Sequence, residues 1–132
     1  MIYVDSCVVV KLIRDEEHTM ALKAHLASEA VEIVSSELTK VEVCRTLIRD
    51  GQREATREVT KMVLARIAKL PINAVLDIAA DLDGPTLRSL DALHVATARM
   101  LGPAVTQFIT YDKQLAKAAT EAGLPLTMPG VD

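Results

Sequence analysis

Aromatic residues are nearly missing from this 132-residue sequence: Tyr3, Phe108 and Tyr111 are the only three, and there is no tryptophan. A protein that grips single strands by stacking bases needs aromatic platforms, so that class is excluded. Positive charge is not in excess either. Lys and Arg total 15 against 18 Asp and Glu, a formal charge of −3, which argues against holding nucleic acid by charge alone. Cysteine is scarce, and Cys7 and Cys44 make neither a C-x-x-C motif nor a zinc spacing. Each sits among apolar neighbours and reads as a buried thiol. No apolar run approaches the roughly 20 residues of a membrane span. Asp5 and Lys11 interrupt the apolar start, which does not read as a signal peptide. The expected compartment is the cytoplasm.

What is present is aliphatic. Half the residues are hydrophobic and the mean hydropathy is +0.24, enough to bury a core. The length fits one domain over residues 1–132. There is no internal repeat, low-complexity tract or linker.

Met1 to Val4 reads as a buried strand ending at Asp5. Ser6 is placed to cap a helix through Ile13, and a second helix carries Met20, Leu22 and Leu26. Val31 to Val34 reads as a second strand. Ser35 and Ser36 then cap a helix bearing Leu38, Val41, Cys44, Leu47 and Ile48, closed by Asp50-Gly51. Gln52 to Leu70 reads as one long helix with Val59, Met62, Val63, Ile67 and Leu70 on one side. Pro71 to Val75 suggests a third strand, and Leu76 to Leu82 a short helix stopped by Asp83-Gly84-Pro85. Ser89 to Leu101 is apolar on most sides and should lie centrally. Gln107 to Thr110 reads as a strand, Asp112 to Ala122 as a helix ended by Gly123, and Leu124 to Leu126 as an edge strand.

Alternating strands and helices imply an α/β fold, a three-layer α/β/α sandwich around a parallel sheet of four to five short strands. In such sheets the working crevice lies at the carboxyl ends of the strands. Asp5 and Asp112 fall at two such ends. Glu42 and Asp91 sit early in helices that follow others. Clustered carboxylates repel one another, and a hard divalent cation, Mg²⁺ or Mn²⁺, removes that cost. Such an ion polarises phosphate and acidifies bound water, as phosphodiester hydrolysis requires. Each acid also has a purely structural use. Asp5 and Asp112 can cap helices, Asp91 can complement a helix dipole, and Glu42 can pair with Arg45.

The local strings carry a more specific signal. Met1 to Ser6 resembles the first strand and first catalytic Asp of a PIN domain. Ser35 to Arg45 resembles that family's S-x-L-x-x-x-E segment and places its Glu on Glu42. Leu87 to Ala98 is very similar to the L-R-x-L-D-A-L-H-L-A-x-A string of the toxin branch and places its Asp on Asp91. Thr110 to Ala116 resembles T-x-D-x-x-L, with its Asp on Asp112. The motifs run in the family's order over nearly the whole chain.

The resemblance implies a Mg²⁺- or Mn²⁺-dependent endoribonuclease, a VapC-type toxin that leaves a 5′-phosphate and a 3′-hydroxyl. It also implies a homodimer, inhibition by a VapB-type antitoxin, and contact with operator DNA only through that antitoxin. Asp5, Glu42 and Asp91 form the expected core of the metal site, with Asp112 completing it directly or through water. Ser6 and Thr110 flank the acids and can hold a metal water or orient a carboxylate. Arg14, Arg45, Arg88 and Lys113 are candidate contacts for RNA phosphates. His94, three residues after Asp91, reads as a core histidine or a general base. The alternative is a PIN-like or receiver-like Mg²⁺-binding module without nuclease activity. A receiver wants paired acids after an early strand, and Asp5 has no acidic neighbour; a D-x-D phosphohydrolase fails at Cys7. The four proposed ligands account for −4 of the charge and leave the remainder at +1, so the acidic balance leaves RNA binding open.

Overall fold

The computed structural model describes residues 1–132. Five strands form one sheet: β1 (Ile2–Val4), β2 (Ile33–Ser36), β3 (Ala68–Leu70), β4 (Gln107–Ile109) and β5 (Leu126–Thr127). Their order is β3-β2-β1-β4-β5, and every pairing is parallel. Helices fill the connections, as parallel crossovers require: α1 (Ser6–Ile13), α2 (Thr19–Ser28), α3 (Leu38–Arg49), α4 (Arg57–Ala65), α5 (Leu76–Ala80), α6 (Ser89–Leu101) and α7 (Lys113–Glu121). None is long and apolar enough to cross a membrane.

The alternation of side chains along β1 divides the core in two. Ile2 and Val4 pack with Val8, Val9, Leu22, Val43 and Leu64, so α1 to α4 cover one face. Tyr3 points the other way and packs with Phe108, Val95, Ala98 and Leu115, so α6 and α7 cover the second. The result is the expected α/β/α sandwich. Tyr3 and Phe108 are stacked with ring centroids 5.1 Å apart, an arrangement worth about 0.5–1.5 kcal/mol beyond its buried area.

Several boundaries differ from the sequence expectation. The span from Gln52 to Leu70 is not one helix: α4 ends at Ala65, and Ala68 to Leu70 pair with Val34 to Ser36 as an edge strand. Val59 and Met62 accordingly face solvent, at 42% and 58% exposure. Pro71 to Val75 is no strand; a 3-10 turn occupies Asn73–Val75, and the Ile72 amide is taken by the Glu37 carboxylate. Strand β2 lies two residues later than expected, so Ser35 and Ser36 are inside it. They are buried there because Ser35 Oγ donates to Val4 O at 2.6 Å and Ser36 Oγ accepts from the Leu38 amide. Val41 and Met20 point outward. The cap of α1 is Asp5, not Ser6: its Oδ1 accepts from the Val8 amide at 3.2 Å.

Strands β2 and β3 lie to one side of β1, and β4 and β5 lie to the other. The chain therefore changes direction between β1 and β4. That switch point opens a crevice at the carboxyl ends of these two strands.

Candidate active site

Asp5 leaves the end of β1 at this switch point and is buried. Thr110 leaves the end of β4, and its Oγ1 donates to Asp5 Oδ2 at 2.7 Å. Cys7, in the first turn of α1, donates its thiol to Asp5 Oδ1 and Oδ2 at 3.0 and 3.3 Å. With the Val8 amide, three protein donors hold this one carboxylate. Burial nevertheless dominates and raises the Asp5 pKa, with His94, Cys7, Thr110 and Val8 opposing it.

The α6 helix contributes Asp91 and His94, one turn apart on the face turned to the sheet, and both are buried. His94 Nε2 donates to Glu42 Oε1 of α3 at 2.8 Å, and Nδ1 is bonded to the Tyr3 hydroxyl at 2.8 Å. Burial alone would lower the His94 pKa. The Glu42 hydrogen bond and the charges of Asp5, Glu42 and Asp91 outweigh it and hold the imidazole above its ordinary value. His94 is thus a core histidine with both nitrogens used, set among the carboxylates of Asp5, Glu42 and Asp91.

Asp112 caps α7, accepting from the amides of Gln114 and Leu115 at 2.9 and 3.1 Å. Its own amide donates to Thr110 Oγ1 at 3.1 Å, which ties the cap to the Asp5 carboxylate. Its other oxygen meets Arg88. One nitrogen of that guanidinium lies 2.6 Å from Asp91 Oδ2 and 2.9 Å from Asp112 Oδ2, and Nε also donates to Asp91. Partial burial would raise the Asp112 pKa, but Arg88 and the two amides bring it below the usual carboxylate value.

All four sequence-derived acids therefore lie along the same rim. Asp5 and Asp112 are joined through Thr110, Asp91 and Asp112 through Arg88, and Glu42 faces His94 in place of Arg45. Each carboxylate is occupied by protein donors, and no three His, Cys, Asp or Glu side chains are arranged to hold a metal ion in this conformation. The acceptors presented to a cation are hard oxygens, the set that suits Mg²⁺ or Mn²⁺.

Two grooves flank the acids. One, of about 400 Å³, runs between α6 and α7 beneath the Leu82–Arg88 loop and reaches Arg88, Asp91, Arg99 and Lys117. The other, of about 390 Å³, includes Ser6, Cys7, Arg14, Arg49, Tyr111 and Asp112. Of the expected basic contacts, Arg88 stands inside the acid cluster. Arg14 is largely neutralised by Glu16 and Asp50 at 2.7 and 2.9 Å. Arg45 and Lys113 are exposed. Three participants went unassigned in the sequence: Cys7 as a donor to Asp5, Tyr3 as the partner of His94, and Arg88 as a bridge. The signal for Cys7 was its place two residues after Asp5, in the helix turn that Asp5 caps.

Comparison with known proteins gives the family and the fold. A family model described as PIN domain matches residues 2–121. Two curated relatives come from Mycobacterium tuberculosis. Ribonuclease VapC46 is 37% identical over 129 residues, 97% of each chain, and Ribonuclease VapC35 is 40% identical over 135 residues, 98% of each. Solved structures share the fold at lower identity. VapC20 of M. tuberculosis, titled a sarcin–ricin loop cleaving toxin, superposes with a TM-score of 0.69 at 16% identity, covering 89% of this chain and 95% of its own. A toxin–antitoxin complex from Klebsiella pneumoniae gives 0.66 at 21% identity, covering 88% and 91%.

Proposed function

The chain belongs to the PIN-domain family, and from that premise we propose that residues 1–132 form one domain acting as a metal-dependent endoribonuclease, the toxin of a VapBC-type pair. The observation that carries this reading is the linkage of Asp5, Asp112 and Asp91 at the β1–β4 switch point through Thr110 and the Arg88 guanidinium, with Glu42 beside them on His94. A rim that already holds a guanidinium between two carboxylates has the charge to hold a divalent cation. Asp5, Glu42 and Asp91 would be its main ligands, with Asp112 at the edge. Mg²⁺ or Mn²⁺ bound there would polarise the scissile phosphate and lower the pKa of an attacking water.

The chain's own residues do the positioning. Thr110, Cys7 and the Val8 amide fix the orientation of the Asp5 carboxylate, and His94 fixes Glu42. Fixed acceptors spare the site reorganisation during the reaction. The two grooves lead away from the acids on either side and offer a path for a strand, with Arg88, Arg99 and Lys117 in one and Arg49 in the other. With so few aromatics, grip would come from arginine, metal and shape. Ser6 lies in the second groove, close enough in sequence to Asp5 to steady a metal-bound water.

The partners that fit this reading are an RNA substrate, a VapB-type antitoxin covering the groove, and a second copy of the chain. Operator DNA would be reached only through the antitoxin, and the setting would be the cytoplasm. The test is cleavage of a structured RNA by the purified chain. Cutting should require Mg²⁺ or Mn²⁺ and should fall at least about a hundredfold in Asp5→Asn and in Asp91→Asn, in line with losing a group that stabilises transition-state charge. Circular dichroism should show both variants folded. Wild-type cutting by Asp91→Asn would overturn the assignment.

A further inference from the structure

Arg88 is the one cation of the site that comes from a loop end. It caps the start of α6 with extended backbone, φ −70° and ψ 148°, directly after the Leu82–Arg88 segment that roofs the larger groove. Its side chain is 48% exposed, yet its guanidinium is committed inward, to Asp91 through Nε and one terminal nitrogen and to Asp112 through that same nitrogen. The two carboxylates face each other across a single nitrogen. Without it they would repel. With it, the space between them is filled by a cation that belongs to the chain.

We propose that Arg88 is an internal counter-cation that holds the metal-free site and competes with the divalent ion for Asp91 and Asp112. The inference rests on the metal-site reading given above. An arginine cannot shed its charge by losing a proton, so a divalent ion that draws on Asp91 Oδ2 or Asp112 Oδ2 meets the guanidinium already bound there. Metal entry on these oxygens turns Arg88 out. The fork is long and half-exposed, and its backbone stays anchored through the Ala92 amide on Arg88 O at 2.9 Å. The freed guanidinium then faces the groove between α6 and α7, where a phosphate of the substrate is the acceptor it would next find. The same residue would thus stabilise the empty carboxylates and make phosphate binding conditional on metal.

The experiment measures metal binding, independently of cleavage. Free Mn²⁺ is counted by electron paramagnetic resonance in titrations of wild type, Arg88→Gln and Arg88→Lys. Arg88→Gln should bind Mn²⁺ roughly tenfold tighter or more, the equivalent of about 1.4 kcal/mol of competition removed. Arg88→Lys keeps the charge without the fork and should fall between. Equal or weaker binding by a folded Arg88→Gln overturns the proposal. Should that variant fail to fold, the wild type decides. The Arg88 Nε–H resonance of ¹⁵N-labelled protein should move on saturation with Mg²⁺, and an unmoved resonance overturns the proposal. Mn²⁺ binding by neither wild type nor a folded Arg88→Gln would overturn the metal site and this inference together. Binding by wild type with Arg88 unmoved would overturn this inference alone.

Discussion

The Thr110 hydroxyl and the Asp5 carboxylate are joined by a 2.7 Å hydrogen bond between residues 105 positions apart. The bond closes the seam between β1 and β4, and the same hydroxyl receives the Asp112 amide at 3.1 Å. Replacing Thr110 with valine keeps the shape and removes both interactions. A buried carboxylate losing a donor costs on the order of 1–3 kcal/mol, and urea unfolding at neutral pH should show a loss of that size. RNA cleavage should fall with it, because Asp5 is no longer held in place. Unchanged stability and activity would mean that the Cys7 and Val8 donors suffice.

His94 supplies a pH dependence to the metal-free protein. Its folded pKa is raised, with burial opposing and the Glu42 bond and three carboxylate charges prevailing. A base raised in the folded state contributes stability that is fully present below its unfolded pKa, about 6.5, and is lost as pH rises through the folded value. Following the imidazole carbon-bound protons of metal-free protein by NMR should therefore find His94 titrating above an exposed histidine. Glu42→Gln should bring the value down. A His94 that titrates below 6.5 would show that burial wins over its partners.

The contrast between what could and could not be read from sequence follows from how local each signal is. Asp5 and Asp112 stand directly after short apolar strands and beside helix starts, so their placement is written in neighbouring residues. The helix from Ser89 to Leu101 was legible because it is apolar on most sides and is central. Strand β3 was not. Ala68-Lys69-Leu70 is three residues long, two of them exposed, and only pairing with Val34 to Ser36 makes it a strand. Nothing nearby in the chain announces that partner, so the helical pattern of α4 ran on through it. The site shows the same division. The four candidate acids are legible through local motifs, whereas Arg88 and Tyr3 gain their contacts from residues 24 and 91 positions away.

Cys7 should be a quiet thiol. It is half-buried, donates to Asp5 and accepts the Tyr111 amide at 3.3 Å. Burial, then the Asp5 charge and the hydrogen bond to it, push its pKa far up. Thiolate is the reactive form, so iodoacetamide should label Cys7 in native protein at pH 8 far more slowly than in urea. Mass spectrometry of the peptide that contains it reads this directly. Equal labelling in native and unfolded protein would show that the thiol is not held on the carboxylate. Cys7→Ser, which keeps a donor, should retain more cleavage activity than Cys7→Ala.

The carboxyl-terminal tail is pinned beside the site, and a single methyl group should release it. Tyr111, which precedes Asp112, donates its hydroxyl to Pro129 O at 2.7 Å, and its ring is stacked on His18 at 5.5 Å. His18 itself has a positive φ of 70°. Gly130 follows Pro129 with φ +88°, and a Cβ added there would come within 2.9 Å of Ala21 Cβ and 3.1 Å of His18 Nδ1. Gly130→Ala thus meets both a left-handed backbone and a steric clash. Gly123, at φ +80° with open space around it, meets only the first. A left-handed non-glycine residue costs roughly 1–2 kcal/mol, so Gly123→Ala should lose about that much in urea unfolding. Gly130→Ala has a cheaper escape, because the stretch after β5 carries no helix or strand and can open locally. It should lose less global stability than Gly123→Ala while a non-specific endoprotease cuts the stretch around Pro129 faster. The Tyr111 hydroxyl, with a pKa pushed up to about 12 by burial and then by Cys7, should titrate lower once Pro129 has left and solvent reaches it. Cleavage around Pro129 at the wild-type rate in Gly130→Ala would mean that α2 shifts to accommodate the methyl group and that this stretch is held by more than this contact.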